Sequence, residues 1–368
     1  MDRIAVRAKR KELGISCMLN TEVGAVLAVI RRPLSESYLS PQETDHCDSS
    51  VQQSLKSLRA LIFNPQQDWR TIDPSVYLSP FLEVIQSDEI PASATAVALS
   101  SILKILKIEI FDEKTPGAKD AMNSIVSGIT SCRLEKTDLV SEDAVMMRIL
   151  QVLTGIMKHP SSVRSLTIIF LLQMFILSSF KTVIISYVLK QELLEDQAVC
   201  TIVNTCFQVV QQSTGRGDLL QRNGRYTMHE LIQIIFSRLP DFEVRGDEGG
   251  EDSESDTDEI DMSGGYGIRC CIDIFHFLCS LLNVVEVVEN LEGTNVHTAD
   301  EDVQIFALVL INSAIELSGD AIGQHPKLLR MVQDDLFHHL IHYGASSSPL
   351  VLSMICSCIL NIYHFLRK

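Results

Sequence analysis

The chain has 368 residues, enough for two or three domains or for one elongated repeat architecture. Hydrophobic residues make up 46% and charged residues 21%, so a sizeable core can be buried. A formal net charge of −16 argues against nucleic acid as the main ligand, because phosphate binding needs a basic surface.

The first residues, MDRIAVRAKRKELGISC, carry five basic side chains and no apolar stretch of the kind a secretory signal needs. They read as a solvated tail, with a weak basic contact to a membrane surface as the alternative. Helical periodicity then begins. LNTEVGAVLAVIRR (19–32) stops at Pro33, and SVQQSLKSLRALIF (50–63) stops before Asn64 and Pro65. Asp73 is a good N-cap with Pro74 at the first helical position of the next helix. Pro91 opens PASATAVALSSILKILKIEI, whose small residues permit close helix packing. A helix over about 118–134 follows, and SEDAVMMRILQVLTGIMKH ends at Pro160.

Residues 164–192 break this pattern. From Ser165 to Leu189 the single charge is Lys181, and the run is long enough to span a bilayer. A span would place the helices on either side of it on opposite sides of a membrane, although they should bury each other's apolar faces. Lys181 near its middle adds about 2.5–3.5 kcal/mol on insertion scales. An apolar insertion appended to a soluble helical scaffold is therefore the preferred reading, and a membrane-anchored helical protein spanning 165–189 the alternative.

Soluble helical text resumes with EDQAVCTIVNTCFQVVQQST. Thr227 and Glu230 have the spacing of a capping box before LIQIIFSRL. Between Asp241 and Asp261 eleven acidic residues face one basic residue, Arg245. Such a composition cannot bury enough surface to order itself, so 241–265 is expected to be an acidic flexible linker. Ser253 and Ser255 each have an acidic residue three positions on, which suits an acid-directed kinase. Beyond the linker, helices read YGIRCCIDIFHFLCSLLNVVEVV, ADEDVQIFALVLINSAIELS, HPKLLRMVQDDLFHHLIHY and SPLVLSMICSCILNIYHFLRK, the second and third closed by Gly319 and Gly344. With strand signals scarce, the fold class is all-α, a solenoid of stacked helix pairs.

Motifs for chemistry are weak. No CxxC occurs among the ten cysteines, most of which lie in apolar runs and read as reduced, buried thiols. His338 and His342 share a helix face, with Asp334 and Asp335 a turn earlier, but no HExxH arrangement is present. A helix end favouring histidine explains the pattern without a metal. Residues 213–227, with three glycines and three arginines, lack a phosphate-loop spacing and read as a basic inter-helix loop or a protein-binding surface. FSRLPDFE (236–243) resembles the F-R-L-P-G-E loop of ARF exchange domains, with Asp241 and Phe242 where that loop has Gly and Glu. A helix end stopped by Pro240 is the simpler reading. No catalytic residue, cofactor site or metal site is assigned.

Longer segments carry a stronger resemblance. PFLEVIQSDE (80–89), MMRILQVL (146–153), residues 199–243, GYGIRCCIDIFHFLCSLLN (265–283) and DEDVQIFALVLINSAIEL (300–317) are similar to the N-terminus of GNOM-type large ARF guanine-nucleotide exchange factors. The resemblance implies an armadillo-like fold. It implies a dimerisation and cyclophilin-binding domain over 1–240, the linker, and the start of a homology-upstream domain over 266–368. It also implies self-association as a homodimer, a cyclophilin partner, action on an ARF-type GTPase through a domain outside this chain, and peripheral attachment to Golgi or endosomal membranes from the cytosol. Exchange activity is not expected of this chain; the alternative is that it is an incomplete stretch of a full exchange enzyme. Within the implied dimerisation domain, Lys104 and Asp143 are charges on apolar helices. They are expected to line the dimer surface, as an intermolecular ion pair; the alternative is that each is merely solvated. Residues 164–192 have no counterpart in the family pattern.

Deleting 164–192, so that Val163 joins Leu193, leaves a helix connection of normal length and removes a β-branched apolar stretch prone to edge pairing. The shortened chain is expected to be more soluble and to melt no lower than the parent. A lower melting temperature would mean that the segment belongs to the core.

Overall fold

The computed structural model describes residues 2–30, 49–62, 64, 68–132, 139–160, 193–213, 218–242, 266–282, 285–289, 295–299, 301–344 and 348–366. The expectations for 164–192 and for 243–265, Ser253 and Ser255 included, lie outside the described residues. Two compact units are formed, Met1–Gly224 and a second that starts at Arg225 and takes in Tyr266–Lys368.

The first unit is a succession of packed helices. It comprises α1 (Asp2–Ile30), α2 (Ser50–Ile62), α3 (Ser75–Gln86), α4 (Ala92–Ile108), α5 (Ala118–Thr130), α6 (Leu139–Met157), α7 (Asp196–Gln212) and the start of α8 (Asp218–Phe236). Helix α2 shows why the pattern folds this way. Val51, Leu55, Leu58 and Ile62 are its buried residues, spaced so that one stripe faces inward. Helices α1 and α4 pack together, α3 packs on α4 and α5, α4 on α6, and α7 on α5 and α6. Asp73 caps α3 as expected: its Oδ1 accepts the Ser75 N–H at 2.9 Å.

The basic N-terminal residues are not a tail. Helix α1 begins at Asp2, well before the expected start at residue 19. Its middle is tied to the loop before α3. Trp69, fully buried, donates its backbone N–H to Glu12 Oε2 (3.0 Å) and its indole N–H to Ser16 Oγ (2.8 Å). These long-range bonds extend α1 N-terminally, and a local hydrophobic period cannot register them.

The second unit holds the rest of α8, a short 3₁₀ turn (Leu239–Asp241), α9 (Ile268–Leu281), α10 (Glu301–Ser318), α11 (Ala321–Gln324), α12 (Pro326–Arg330), α13 (Phe337–Gly344) and α14 (Pro349–Leu366). The packing is that of an all-α solenoid, with one two-stranded exception. Helix α9 stops at Leu281, and β1 (Val285–Glu289) pairs antiparallel with β2 (Asn295–Ala299), Val287 opposite His297. The text VEVVE had been expected to continue the helix. Its three β-branched valines, Val285, Val287 and Val288, favour a strand over a helix.

Two further expectations are corrected. Thr227 does not start a helix; it lies inside α8, which begins at Asp218 and passes through Asn223 and Gly224. The glycine marks close approach instead of a turn, since a Cβ there would sit 3.0 Å from Val210 Cγ2. The helix expected over 325–343 is interrupted by a π-helical turn, Met331–Leu336, between α12 and α13. Leu328, Val332, Leu336 and Leu340 are buried at a spacing of four. On an α-helix that stripe drifts by about 40° per step, and the wider π turn takes up the drift.

Gly117, at the N-cap of α5, has φ +74°, and a Cβ there would lie 2.6 Å from Asp73 Oδ2. Gly117→Ala would combine left-handed strain with displacement of the α3 cap. It is expected to destabilise the first unit by about 2–3 kcal/mol, read as a lower urea midpoint at unchanged slope.

Candidate interaction surfaces

Lys104 lies on α4 with its side chain 55% exposed, but its ammonium is already engaged. Nζ is 2.7 Å from Glu22 Oε1 on α1, and Ser101 Oγ donates to Glu22 Oε2 at 2.9 Å. Glu22 is almost fully buried. The arrangement solves a local problem: a carboxylate on the inner stripe of α1 needs donors, and one turn of α4 supplies two. Inside a chain, then, Lys104 pairs with Glu22 and not with Asp143. Asp143 is half-buried near the start of α6, the helix that packs on α4. Spacing along the sequence gave no sign of Glu22, because the pairing joins positions 82 residues apart.

The end of α6 carries a site that sequence reading missed. His159 is buried and stacks on Phe111, with ring centroids 5.4 Å apart and planes 19° apart. Burial pushes its imidazole below its ordinary range, while the Glu109 and Asp112 carboxylates pull the other way. In the second unit, burial lowers His325 too.

The FSRLPDFE stretch does not form a projecting finger in its described part. Phe236 and Leu239 are buried, and residues 239–241 make the 3₁₀ turn. Arg238 is buried, with its guanidinium 4.3 Å over the Tyr266 ring and 5.9 Å from the Phe242 ring centre. Glu243 lies outside the described residues. In the arginine-rich stretch, Arg222 makes an exposed pair with Asp218 on its own helix. Arg225 forks onto both carboxylate oxygens of Asp302 and sits 5.2 Å over Phe306. That side chain serves the fold, not a phosphate. His338 and His342 stack in parallel at 6.2 Å. Among the described residues no group of three or more His, Cys, Asp or Glu is placed to hold a metal ion. Cys206, Cys270, Cys271, Cys279 and Cys358 are buried free thiols, whereas Cys17 and Cys356 are exposed. Burial pushes the thiols of Cys206, Cys279 and Cys358 up to about 12.

Residues 267–368 match the family model of the Mon2/Sec7/BIG1-like HUS domain. Over 368 residues the chain is 92% identical to the ARF guanine-nucleotide exchange factor GNL2 of Arabidopsis thaliana, covering all of this chain and 25% of that protein. It is 40% identical to the ARF guanine-nucleotide exchange factor GNOM of the same plant over 96% of this chain and 26% of that one. ARF guanine-nucleotide exchange factor 2 of Saccharomyces cerevisiae is 22% identical over 79% of this chain. The chain thus spans about a quarter of the length of its plant relatives.

Because the folded state holds His159 below its unfolded value of 6.5, the unfolded chain binds the extra proton first as pH falls. The stability this neutral histidine contributes is complete above that value and is lost below it. Lowering the pH from about 7.5 to about 5.5 is expected to lower the unfolding midpoint, and less so in His159→Phe, which keeps the stack on Phe111. Equal pH sensitivity in the two proteins would rule His159 out as a source.

Proposed function

We propose that this chain, which belongs to the GNOM-type ARF guanine-nucleotide exchange factors as their N-terminal region, is an interaction scaffold without exchange activity of its own. It serves vesicle-mediated transport as the regulatory and dimerising part of a longer exchange factor. The observation that carries this reading is similarity along the entire chain to one quarter of proteins named for ARF exchange. Residues 1–240 act as the dimerisation and cyclophilin-binding region, and the residues from 266 on begin the homology-upstream region, in line with the HUS match from 267. The ARF-type GTPase is met by a domain outside this chain, at Golgi or endosomal membranes. Residues 164–192 are an insertion into the relatives' pattern, a reading that rests on their apolar composition.

Lys104 and Asp143 remain the proposed dimer-surface residues, on the helices α4 and α6 that pack together. They are not equivalent as probes. Reversing Lys104 would set two carboxylates against each other beside buried Glu22, and would cost folding stability before it reported on assembly. Asp143→Lys leaves Glu22 its donors and is the probe used.

Sedimentation of the purified chain is expected to show a dimer whose dissociation constant rises about tenfold in Asp143→Lys, a loss of roughly 1.4 kcal/mol. The same protein is expected to leave nucleotide exchange on ARF at its intrinsic rate. A constant unmoved by Asp143→Lys removes Asp143 from the interface. Exchange stimulated above background overturns the scaffold reading.

A further inference from the structure

The residues on either side of the acidic stretch meet. Phe242 is the last described residue before it and Tyr266 the first after it, and their rings touch edge to face with centroids 6.4 Å apart. The Arg238 guanidinium lies over both rings, closest to Tyr266 at 4.3 Å. Tyr266 is 2% exposed and Arg238 7% exposed, so this cation–aromatic cluster is largely withdrawn from water, where such contacts are strongest. One turn earlier, Phe236 packs edge-on against Phe275 of α9 at 6.2 Å. Earlier still, His229 Nε2 is 2.6 Å from Ser313 Oγ, and Arg225 forks onto Asp302, both partners on α10. The residues from 225 to 242 are therefore fastened into the second unit by four separate contacts, each made to the chain that follows the acidic stretch.

We infer that the acidic stretch leaves and re-enters one folded unit at a clamp formed by Arg238, Phe242 and Tyr266. It is an excursion from that unit, not the connector that leads into it. A connector between independently folded parts is bordered by residues that few contacts join. Here the borders are joined by buried aromatic rings and a shared cation. The main stretch of the first unit ends at Gly224 and the second begins at Arg225, inside α8 and before the acidic residues begin. Cutting, shortening or charging the stretch acts on one unit whose two borders stay in register.

The test is a cut. A recognition sequence for a site-specific protease replaces residues between 246 and 262 of the full chain, and the purified protein is cleaved. The two pieces are expected to co-elute on size exclusion, with amide exchange over 225–242 and 268–281 unchanged from the uncut chain. The same cut in Arg238→Lys, which keeps the charge and loses the planar stack, is expected to release the pieces about fivefold faster, read by exchange with a labelled fragment. If uncut Arg238→Lys does not fold, Tyr266→Leu, which fills the site without a ring, takes its place with the same expected increase. Separation of the pieces from the unsubstituted cut chain overturns the inference. So does equal release from the parent and the clamp variant, since the pieces would then be held by something else.

Discussion

Helix α4 cannot be solvated on any wide face: ten of its seventeen residues are buried, and it touches α1, α3 and α6. It packs on α6 where Leu103 lies over Gly155; a Cβ on that glycine would come within 2.7 Å of Leu103 Cδ1. A small residue there lets Leu99, Ile102, Ile105 and Leu106 reach inward together, each such burial contributing roughly 1.5–3 kcal/mol before conformational entropy is charged against it. Close packing also imposes an electrostatic condition. Helix α1 brings Glu22 against another side of α4, and a carboxylate cannot be left buried there without donors. Ser101 and Lys104 answer it from one turn of α4. The helix that fixes the spacing of the first unit thus also neutralises its buried charge.

How much of this was legible depended on range along the chain. Proline positions, the Asp73 cap and the period of the apolar residues located α2 to α7 to within a few positions, because those signals act within one or two turns. Features that depend on distant partners were not legible. The N-terminal extension of α1 rests on Trp69, more than fifty residues away. The Thr227 and Glu230 spacing has the form of a capping box, yet the helix simply continues through it, with Gly224 seated against Val210. The β-hairpin and the π turn are cases where the helical period nearly fits, and a small mismatch decides. A cluster of β-branched valines tips one segment to strand, and a four-residue stripe widens one turn of the other.

The candidate surfaces were less legible than the fold for a chemical reason. Catalytic and metal sites require fixed residue types at fixed spacings, and those leave a motif. An interaction scaffold requires shape and a few placed charges, and these have no spacing rule. Lys104 stood out because it interrupts an apolar run, which is a correct observation with two physical causes. A charge in such a run can serve a partner chain, or it can serve a buried counter-charge in its own chain, and sequence does not distinguish them. Glu22 supplies the second cause, and any contribution to a dimer is made by an ammonium that already shares its charge.

The same accounting applies to the other cations near the proposed sites. Lys119 is paired with Glu195, Arg225 with Asp302, and Arg238 with two aromatic rings. Each of these side chains could be read from sequence as a handle for an anionic partner, and each is spent within its own unit. The chain carries 47 acidic residues against 31 lysines and arginines, and pairing cations with carboxylates one for one leaves that acidic excess intact. A partner that binds tightly must then bring its own positive charge, or dock through apolar and aromatic surface, because long-range attraction of anions is not available to this scaffold.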